Sequence, residues 1–252
     1  RILPVKSDGG EEILYEKFKN DVGPAVFRNK SVLDTYEPGS VFKPIVMAAA
    51  IDTNLVTPQT IVNDEGPIRV DEFMIDNALS KHYGEITMTE VLETSNNIGM
   101  AFLAQNLREK LMYNYIEKFG FGKPTGLLFA NEPSGILSSY LKWAESELVT
   151  HSFGQGLTVT PLQMTSAFAA LANDGVLMKP QLVKKIEYSN GKIEEFDPEV
   201  VRRSVSEKTA STVTAMLTSV IDNGQAQSGQ IPGYSIAGKT GTAQTYKFGK
   251  PL

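Results

Sequence analysis

Apolar residues fill nearly every position between Val41 and Ile51: Val41, Phe42, Ile45, Val46, Met47, Ala48, Ala49, Ala50 and Ile51. A helix that is apolar all round is a buried one, so Ser40–Ile51 reads as a central helix entered through the sharp turn Pro38-Gly39. Residues 54–86 are polar and turn-rich and predict a long loop with small elements. Thr87-Met88-Thr89-Glu90 spells a capping box that opens a short helix ending at Ser95-Asn96-Asn97. A second helix is expected from Ile98 to about Lys118, stopped by Gly120 and Gly122. Thr160-Pro161-Leu162-Gln163 opens another with a cap, a proline in the first turn and a return acceptor, and Gly175 closes it. Gln181–Ser189 and Lys192–Phe196 flank Asn190-Gly191, a hairpin signal. A helix from about Ser206 to Asp222 ends near Gly224, and a strand over Tyr234–Tyr246 comes last. Before Asp34 the pattern is mixed and yields only a strand around Glu12–Phe18. Helices in the middle with strands towards the ends predict a mixed α/β domain carrying an inserted, mostly helical region, approximately residues 52–178.

Composition narrows the class of molecule. The 252 residues, 41% hydrophobic and 21% charged, suit one large globular domain or two small ones. Lys and Arg number 24 against 29 Asp and Glu, a net charge of −5 that argues against a nucleic-acid binder of the basic-patch kind. Cysteine is absent, which removes thiolate nucleophiles, thiolate metal sites and disulfide scaffolds. His82 and His151 are the two histidines, too few for a histidine-rich metal centre. No apolar run reaches membrane-spanning length and no signal peptide opens the chain. Arg1–Val5 and Gly249–Leu252 look like cut ends, so the stretch 1–252 is expected to be one domain of a longer protein, truncated at both ends.

Candidate chemistry lies in three short strings. Ser-x-x-Lys alone is a weak signal, with about one chance match expected in a chain this long, and it occurs here three times, at Ser40, Ser139 and Ser189. Ser189 reaches its lysine across the Asn190-Gly191 turn, and Ser139 sits in a polar stretch with no apolar helix behind it. Ser40 alone opens a buried helix, where three-residue spacing is one turn and brings Lys43 back alongside the hydroxyl. The helix N-terminus favours the negative charge that develops on attack, and burial beside a second cation would let Lys43 act as a neutral base. Taken alone, a cap serine before a lysine on a core helix is the commoner meaning of such a pair. Ser-x-Asn occurs once, at Ser95–Asn97, between two predicted helices, where polar residues are usually caps. Lys239-Thr240-Gly241-Thr242 also occurs once, on the last predicted strand. Gly233–Thr240 satisfies the phosphate-loop pattern G-x-x-x-x-G-K-[ST], but Ile231-Pro232 before it and β-type residues after it do not supply the strand and helix that a nucleotide cradle needs.

The three strings in this order, each in the element its chemistry requires, are the signature of serine acyl-transferases that react with penicillin. From Phe27 to Gln244 the chain resembles the transpeptidase domain of class B penicillin-binding proteins. Thr35-Tyr36-Glu37-Pro38-Gly39 before the serine and Ser152-Phe153-Gly154-Gln155-Gly156 followed by Thr158–Gln163 carry the likeness further, towards division and sporulation members. The resemblance implies a β-lactamase/transpeptidase-like fold: an antiparallel sheet flanked by helices, plus the all-helical insertion. That sheet is expected to be incomplete here, since the strands that follow the Lys-Thr-Gly strand in the family are missing and its first strand is not identifiable. It implies a peptidoglycan D,D-transpeptidase at the extracytoplasmic face of the bacterial plasma membrane, needing neither metal nor organic cofactor. Its partners would be stem peptides ending in D-Ala-D-Ala, β-lactams, a glycosyltransferase and other cell-wall synthesis proteins, with no nucleic acid and no nucleotide. By similarity Ser40 is the nucleophile, Lys43 its base, Ser95 a proton relay, Asn97 an amide anchor and Lys239 an electrostatic support. Thr240 and Thr242 would bind the substrate carboxylate, with Gly241 leaving room beside them.

Competing readings make different demands. A serine β-lactamase needs an acid to activate water, and Glu132 in Glu132-Pro133-Ser134-Gly135 is the nearest candidate. A penicillin-recognising sensor or scaffold would have lost catalytic residues, yet all the matched ones are present. A Ser-His-Asp hydrolase around His151-Ser152 lacks the nucleophile-elbow pattern.

Overall fold

The computed structural model describes residues 28–127 and 131–242, and the backbone of 246–247 and 250–251. The strand expected around Glu12–Phe18 lies outside the described residues. In chain order the elements are α1 (Lys30–Leu33), a 3-10 turn (Gly39–Phe42), α2 (Lys43–Asp52), β1 (Ile61–Asp64), β2 (Ile68–Val70), β3 (Phe73–Ile75), β4 (Gly84–Thr87), α3 (Met88–Glu93), α4 (Asn97–Lys118), α5 (Glu145–Ser152), α6 (Pro161–Ala172), β5 (Val176–Met178), β6 (Lys185–Glu187), β7 (Ile193–Glu195), β8 (Val200–Arg203), α7 (Glu207–Asp222), β9 (Tyr246–Lys247) and β10 (Lys250–Pro251).

Helix α2 is the axle of the core. Every residue from Phe42 to Ala50 is buried, as the unbroken apolar run predicts. It packs on α4 and α7, while α4 also meets α5, and α3 and α6 pack on α7. Each large side chain buried here, such as Phe42, Ile45 or Met47, contributes about 1.5–3 kcal/mol relative to exposure. Phe42 also meets Phe121, from the turn after α4, with ring centroids 5.1 Å apart.

The local signals place the helices well. Thr87 and Glu90 form the capping box of α3, and Thr160 and Gln163 that of α6, with Pro161 in its first turn. Ser206 caps α7 by accepting from the Thr209 N–H. Asn190-Gly191 turns the β6–β7 hairpin, with Ile186 opposite Glu194. Helix α4 runs to Lys118, although Arg108 (φ 64°, ψ 166°) interrupts its regular path. Residues 54–86 hold two ribbons, β1 paired with β4 and β2 with β3.

Two features depart from the pattern. Helix α5 occupies a stretch with no Ser, Thr, Asp or Asn at its N-cap. Glu147 accepts from the Ala144 N–H at 3.0 Å, and Asp71, in the β2–β3 turn, accepts from the Ser146 N–H at 2.8 Å. That cap comes from 75 positions away and is invisible to a local reading. The strand expected over Tyr234–Tyr246 is not formed across 234–242, where no backbone ladder joins it to a neighbour. An unpaired strand leaves its N–H and C=O groups without partners, so a ladder there requires strands to pair with. Among the described residues the ladders are all two-stranded and antiparallel.

The approach to the central helix is clamped from behind. Tyr36 and Val159 exchange backbone hydrogen bonds (3.0 and 2.9 Å), and the Gly39 N–H donates to Gly154 O at 2.9 Å. Glu37 accepts from the Gly156 N–H at 3.0 Å. Gly154 has φ +80°, and a Cβ there would stand 2.2 Å from the Gly39 carbonyl oxygen. Gly154→Ala is therefore expected to lower stability by roughly 2–5 kcal/mol in urea unfolding, from left-handed strain plus a backbone clash. A loss under about 1 kcal/mol, the range of an ordinary surface change, would show that this clamp is loose.

Candidate active site

Lys43, at the first position of α2, has no exposed surface. The 3-10 turn supplies the geometry: the Lys43 backbone N–H donates to Ser40 O, one tight turn back. Pro44 follows at the second helical position, where its missing N–H would have had no intrahelical partner. The Lys43 side chain runs to the turn between α3 and α4. Its Nζ donates to Ser95 O at 2.6 Å, to Asn97 Oδ1 at 2.7 Å and to Ser95 Oγ at 3.2 Å. Three acceptors match the three donors of an ammonium; for a neutral amine, Ser95 Oγ is the one partner able to donate into the lone pair.

The turn that meets Lys43 is strained. Ser95 has φ +55°. Its N–H donates to Leu92 O (3.2 Å), and the Asn96 N–H donates to Val91 O (2.8 Å). These are the two bonds of a Schellman C-cap, whose left-handed position is usually glycine. A side chain there costs about 1–2 kcal/mol. The conformation turns both the Ser95 carbonyl and hydroxyl onto one amine, and a glycine would be more relaxed but would lack the hydroxyl. Such strain, held by surrounding contacts, is characteristic of functional positions.

The segment of Lys239–Thr242 passes over the turn that carries Ser40. A Cβ on Gly241 would lie 2.7 Å from Val41 Cγ1, so only glycine lets the chain pass this closely over the residue after Ser40. The Gly238 N–H donates to Leu217 O on α7 at 3.2 Å, tethering the segment. Lys239 is partly buried, and its Nζ donates to Thr240 O and Thr240 Oγ1 (3.2 and 3.4 Å). Thr240 and Thr242 are exposed.

Electrostatics follow from this crowding. Burial, reinforced by the positive charge of Lys239, holds the Lys43 amine well below the ordinary lysine range. Burial brings Lys239 down to about 8.

The structure thus brings Lys43, Ser95 and Asn97 into direct contact, sets Ser40 one turn before Lys43, and lays Gly241 on the same turn. No hydrogen bond of the described residues joins the Ser40 hydroxyl to Lys43. Bonds of this kind commonly tighten only with substrate present. The other Ser-x-x-Lys pairs are exposed: Ser139 precedes a 3-10 turn, and Ser189 lies at the β6–β7 turn. Ser152 donates to Val149 O at 2.6 Å, and His151 Nδ1 pairs with Glu147 O, so this pair is not assembled as a nucleophile and base. Glu132 accepts from the Thr125 and Gly126 N–H groups (2.8 and 3.2 Å), committing both its oxygens to backbone. Missed by the sequence is the buried Asp64, whose contacts end on Asn96 and Asn77. It lies on a short strand, with no motif to mark it.

Known proteins resemble this chain over most of its length. The family model for the penicillin-binding protein transpeptidase domain matches residues 8–251. Stage V sporulation protein D of Bacillus subtilis is 36% identical over 235 residues, 92% of this chain and 36% of that protein. Peptidoglycan D,D-transpeptidase FtsI of Escherichia coli is 34% identical over 219 residues, 86% of this chain and 35% of that protein. The chain spans about a third of the length of the curated relatives it matches. The crystal structure of penicillin-binding protein 3 from Mycobacterium tuberculosis superposes with a TM-score of 0.83 at 33% identity, covering 89% of this chain and 52% of that one. That protein has also been solved with aztreonam and with ampicillin. The mixed α/β, transpeptidase-like fold implied by the three strings is therefore the fold of the chain.

The depressed lysines carry a stability consequence. Unfolded, Lys239 holds its proton up to about 10.5; folded, it releases it from about 8. Between those values the unfolded state binds more protons, so stability rises with pH, and the contribution is lost as pH falls towards 8. Unfolding free energies of the natural chain and Lys239→Met, compared from pH about 8 to about 9.5 and so below the tyrosine range, should differ increasingly in favour of the natural chain as pH rises. A flat or falling difference would contradict this burial of Lys239.

Proposed function

The chain belongs to the penicillin-binding protein transpeptidase family, and on that premise we propose that it is a D,D-transpeptidase that cross-links peptidoglycan stem peptides through an ester on Ser40. The observation that carries the reading is the Lys43 amine, buried, depressed by a second lysine and bonded to both Ser95 and Asn97. Ser40 sits at the start of the buried helix, where its hydroxyl loses a proton to neutral Lys43 as it attacks the penultimate D-alanine carbonyl. The oxyanion is held by the backbone N–H groups of Ser40 and Thr242. Lys43, now an ammonium, hands its proton through Ser95 Oγ to the leaving amine, and terminal D-alanine departs. The Ser40 ester then meets an amine of a neighbouring stem, whose proton returns by the same route, and the new amide releases the serine. Asn97 anchors the amide of the acyl donor. Lys239 adds to burial in favouring neutral Lys43, and Thr240 and Thr242 take the substrate carboxylate. Gly241 leaves a flat passage along which the peptide lies.

The reaction consumes polymerised glycan strands, so a glycosyltransferase is the class of enzyme that must supply its substrate. Such strands lie outside the plasma membrane, and that is where this domain acts; among the described residues no helix is long and apolar enough to cross a membrane. The relatives named for sporulation and for FtsI favour a division- or sporulation-type role. β-Lactams imitate the D-alanyl-D-alanine bond and acylate the same serine. With both Glu132 oxygens engaged by backbone, a water-activating acid of the β-lactamase kind is not offered there, and the acyl-enzyme is long-lived.

Benzylpenicillin should add once to the chain, with the adduct on the proteolytic peptide containing Ser40, and a cephalosporin reporter should be consumed in a stoichiometric burst. An adduct on Ser139 or Ser189 would overturn the assignment of the nucleophile. Continuous turnover of the reporter would overturn the transpeptidase reading in favour of a β-lactamase.

A further inference from the structure

Beneath the Ser95–Asn97 turn lies a carboxylate for which the mechanism has no step. Asp64, the last residue of β1, has no exposed surface. Asn77 Nδ2 donates to both its oxygens (3.0 and 2.9 Å), and Asn96 Nδ2 donates to Oδ2 at 2.6 Å. The Tyr83 N–H donates to Oδ2 at 3.1 Å, and His82 Nδ1 lies 3.0 Å from Oδ1. A carboxylate has only acceptor atoms, so each asparagine that faces it must present its NH2 group and turn its carbonyl oxygen away. Those oxygens are what the catalytic turn uses. Asn96 Oδ1 accepts from the Gly99 N–H at 2.7 Å, capping α4. Asn77 Oδ1 accepts from the Asn97 N–H at 2.7 Å. Asn97 Nδ2 in turn donates to Asp76 O at 2.8 Å, which leaves Asn97 Oδ1 pointing at Lys43.

We infer that Asp64 is a positioning residue for the acyl-transfer centre: by fixing the amide orientations of Asn77 and Asn96, it holds Ser95 and Asn97 on the Lys43 amine. The inference rests on the transpeptidase reading and deepens it. Asp64 touches neither Lys43 nor Ser40; it acts through two amides and the first turn of α4. Asp64, Asn77 and Asn96 are buried and paired, Asn77 Nδ2 donating also to Lys81 O at 3.0 Å, and a network of that kind has one low-energy arrangement, because a flipped amide would set donor against donor or leave a carboxylate lone pair empty. The ionisable groups around it are few. On the Asp64 side they are His82 and, through His82 Nε2 at 3.3 Å, Asp76; on the Lys43 side it is Lys239.

The test is the acylation of the full chain by a fluorescent penicillin, followed as a limiting rate and a half-saturating concentration across pH. Asp64→Asn keeps shape but replaces one acceptor oxygen with an NH2 and removes the charge, so the hold on the Asn77 and Asn96 amides weakens. The limiting rate should fall roughly 10- to 100-fold, the scale of a sub-ångström to 1 Å misplacement, while the half-saturating concentration stays within about twofold. The acid limb of the rate should also move to lower pH, because Lys43 loses acceptors that favour its ammonium. Should Asp64→Asn fail to fold, Asn77→Ser, which leaves Asp64 and Asn96 in place, must show the same limb shift. A rate loss with an unmoved acid limb makes the network merely structural and overturns the proposal, as does an unchanged rate. Failure of the natural chain to acylate at all would instead sink the transpeptidase reading on which it stands.

Discussion

A lysine amine without water is the constraint around which this domain is arranged. Burying an ammonium is unfavourable unless its donors are all met, and a buried lysine otherwise gives up its proton. At Lys43 both conditions are held close together: three acceptors stand within hydrogen-bond reach, while burial and Lys239 press towards the neutral form. In the proposed mechanism the base takes a proton from serine and returns it to a departing amine, which needs both states within reach at neutral pH. The apolar run of α2 supplies the burial, the 3-10 turn sets Ser40 one turn away, and the strained cap at Ser95 supplies two of the acceptors.

Motifs far apart in sequence become one object in the fold. The approach Thr35–Gly39 and the stretch from Ser152 to Val159 are two halves of a backbone clamp, joined at Tyr36–Val159 and Gly39–Gly154. Gly241 passes close over Val41. The turn that carries Ser40 is thus met closely by two separate segments, and glycines stand where side chains would not fit. Rigid placement of this kind lets an enzyme spend little reorganisation at the moment of reaction.

Much of this was legible because the signals were local. The all-round apolar run, the two capping boxes, Ser206 before α7 and Asn190-Gly191 in its hairpin each act within four or five residues, and the structure places all of them as read. The three strings were legible as a set, since each fell in a suitable element. What escaped was non-local. Helix α5 borrows its cap from Asp71, the left-handed turn at Ser95 is held by tertiary contacts, and Asp64 matters through partners 13 and 32 positions away. The strand expected at Lys239–Thr242 failed for a related reason: strand propensity becomes a ladder only when a neighbour supplies the other half of each hydrogen bond.

The central claim is that Lys43 is a buried amine poised to be neutral, and the direct measurement is its own titration. Lysines labelled with 13C at Cε, with Lys43 assigned by substitution, would report its protonation by NMR in the uncomplexed protein. The account predicts titration well below the ordinary value of 10.5, moving upward when Lys239→Gln removes the neighbouring charge. A Lys43 resonance that titrates with the surface lysines, and does not respond to Lys239→Gln, would contradict it.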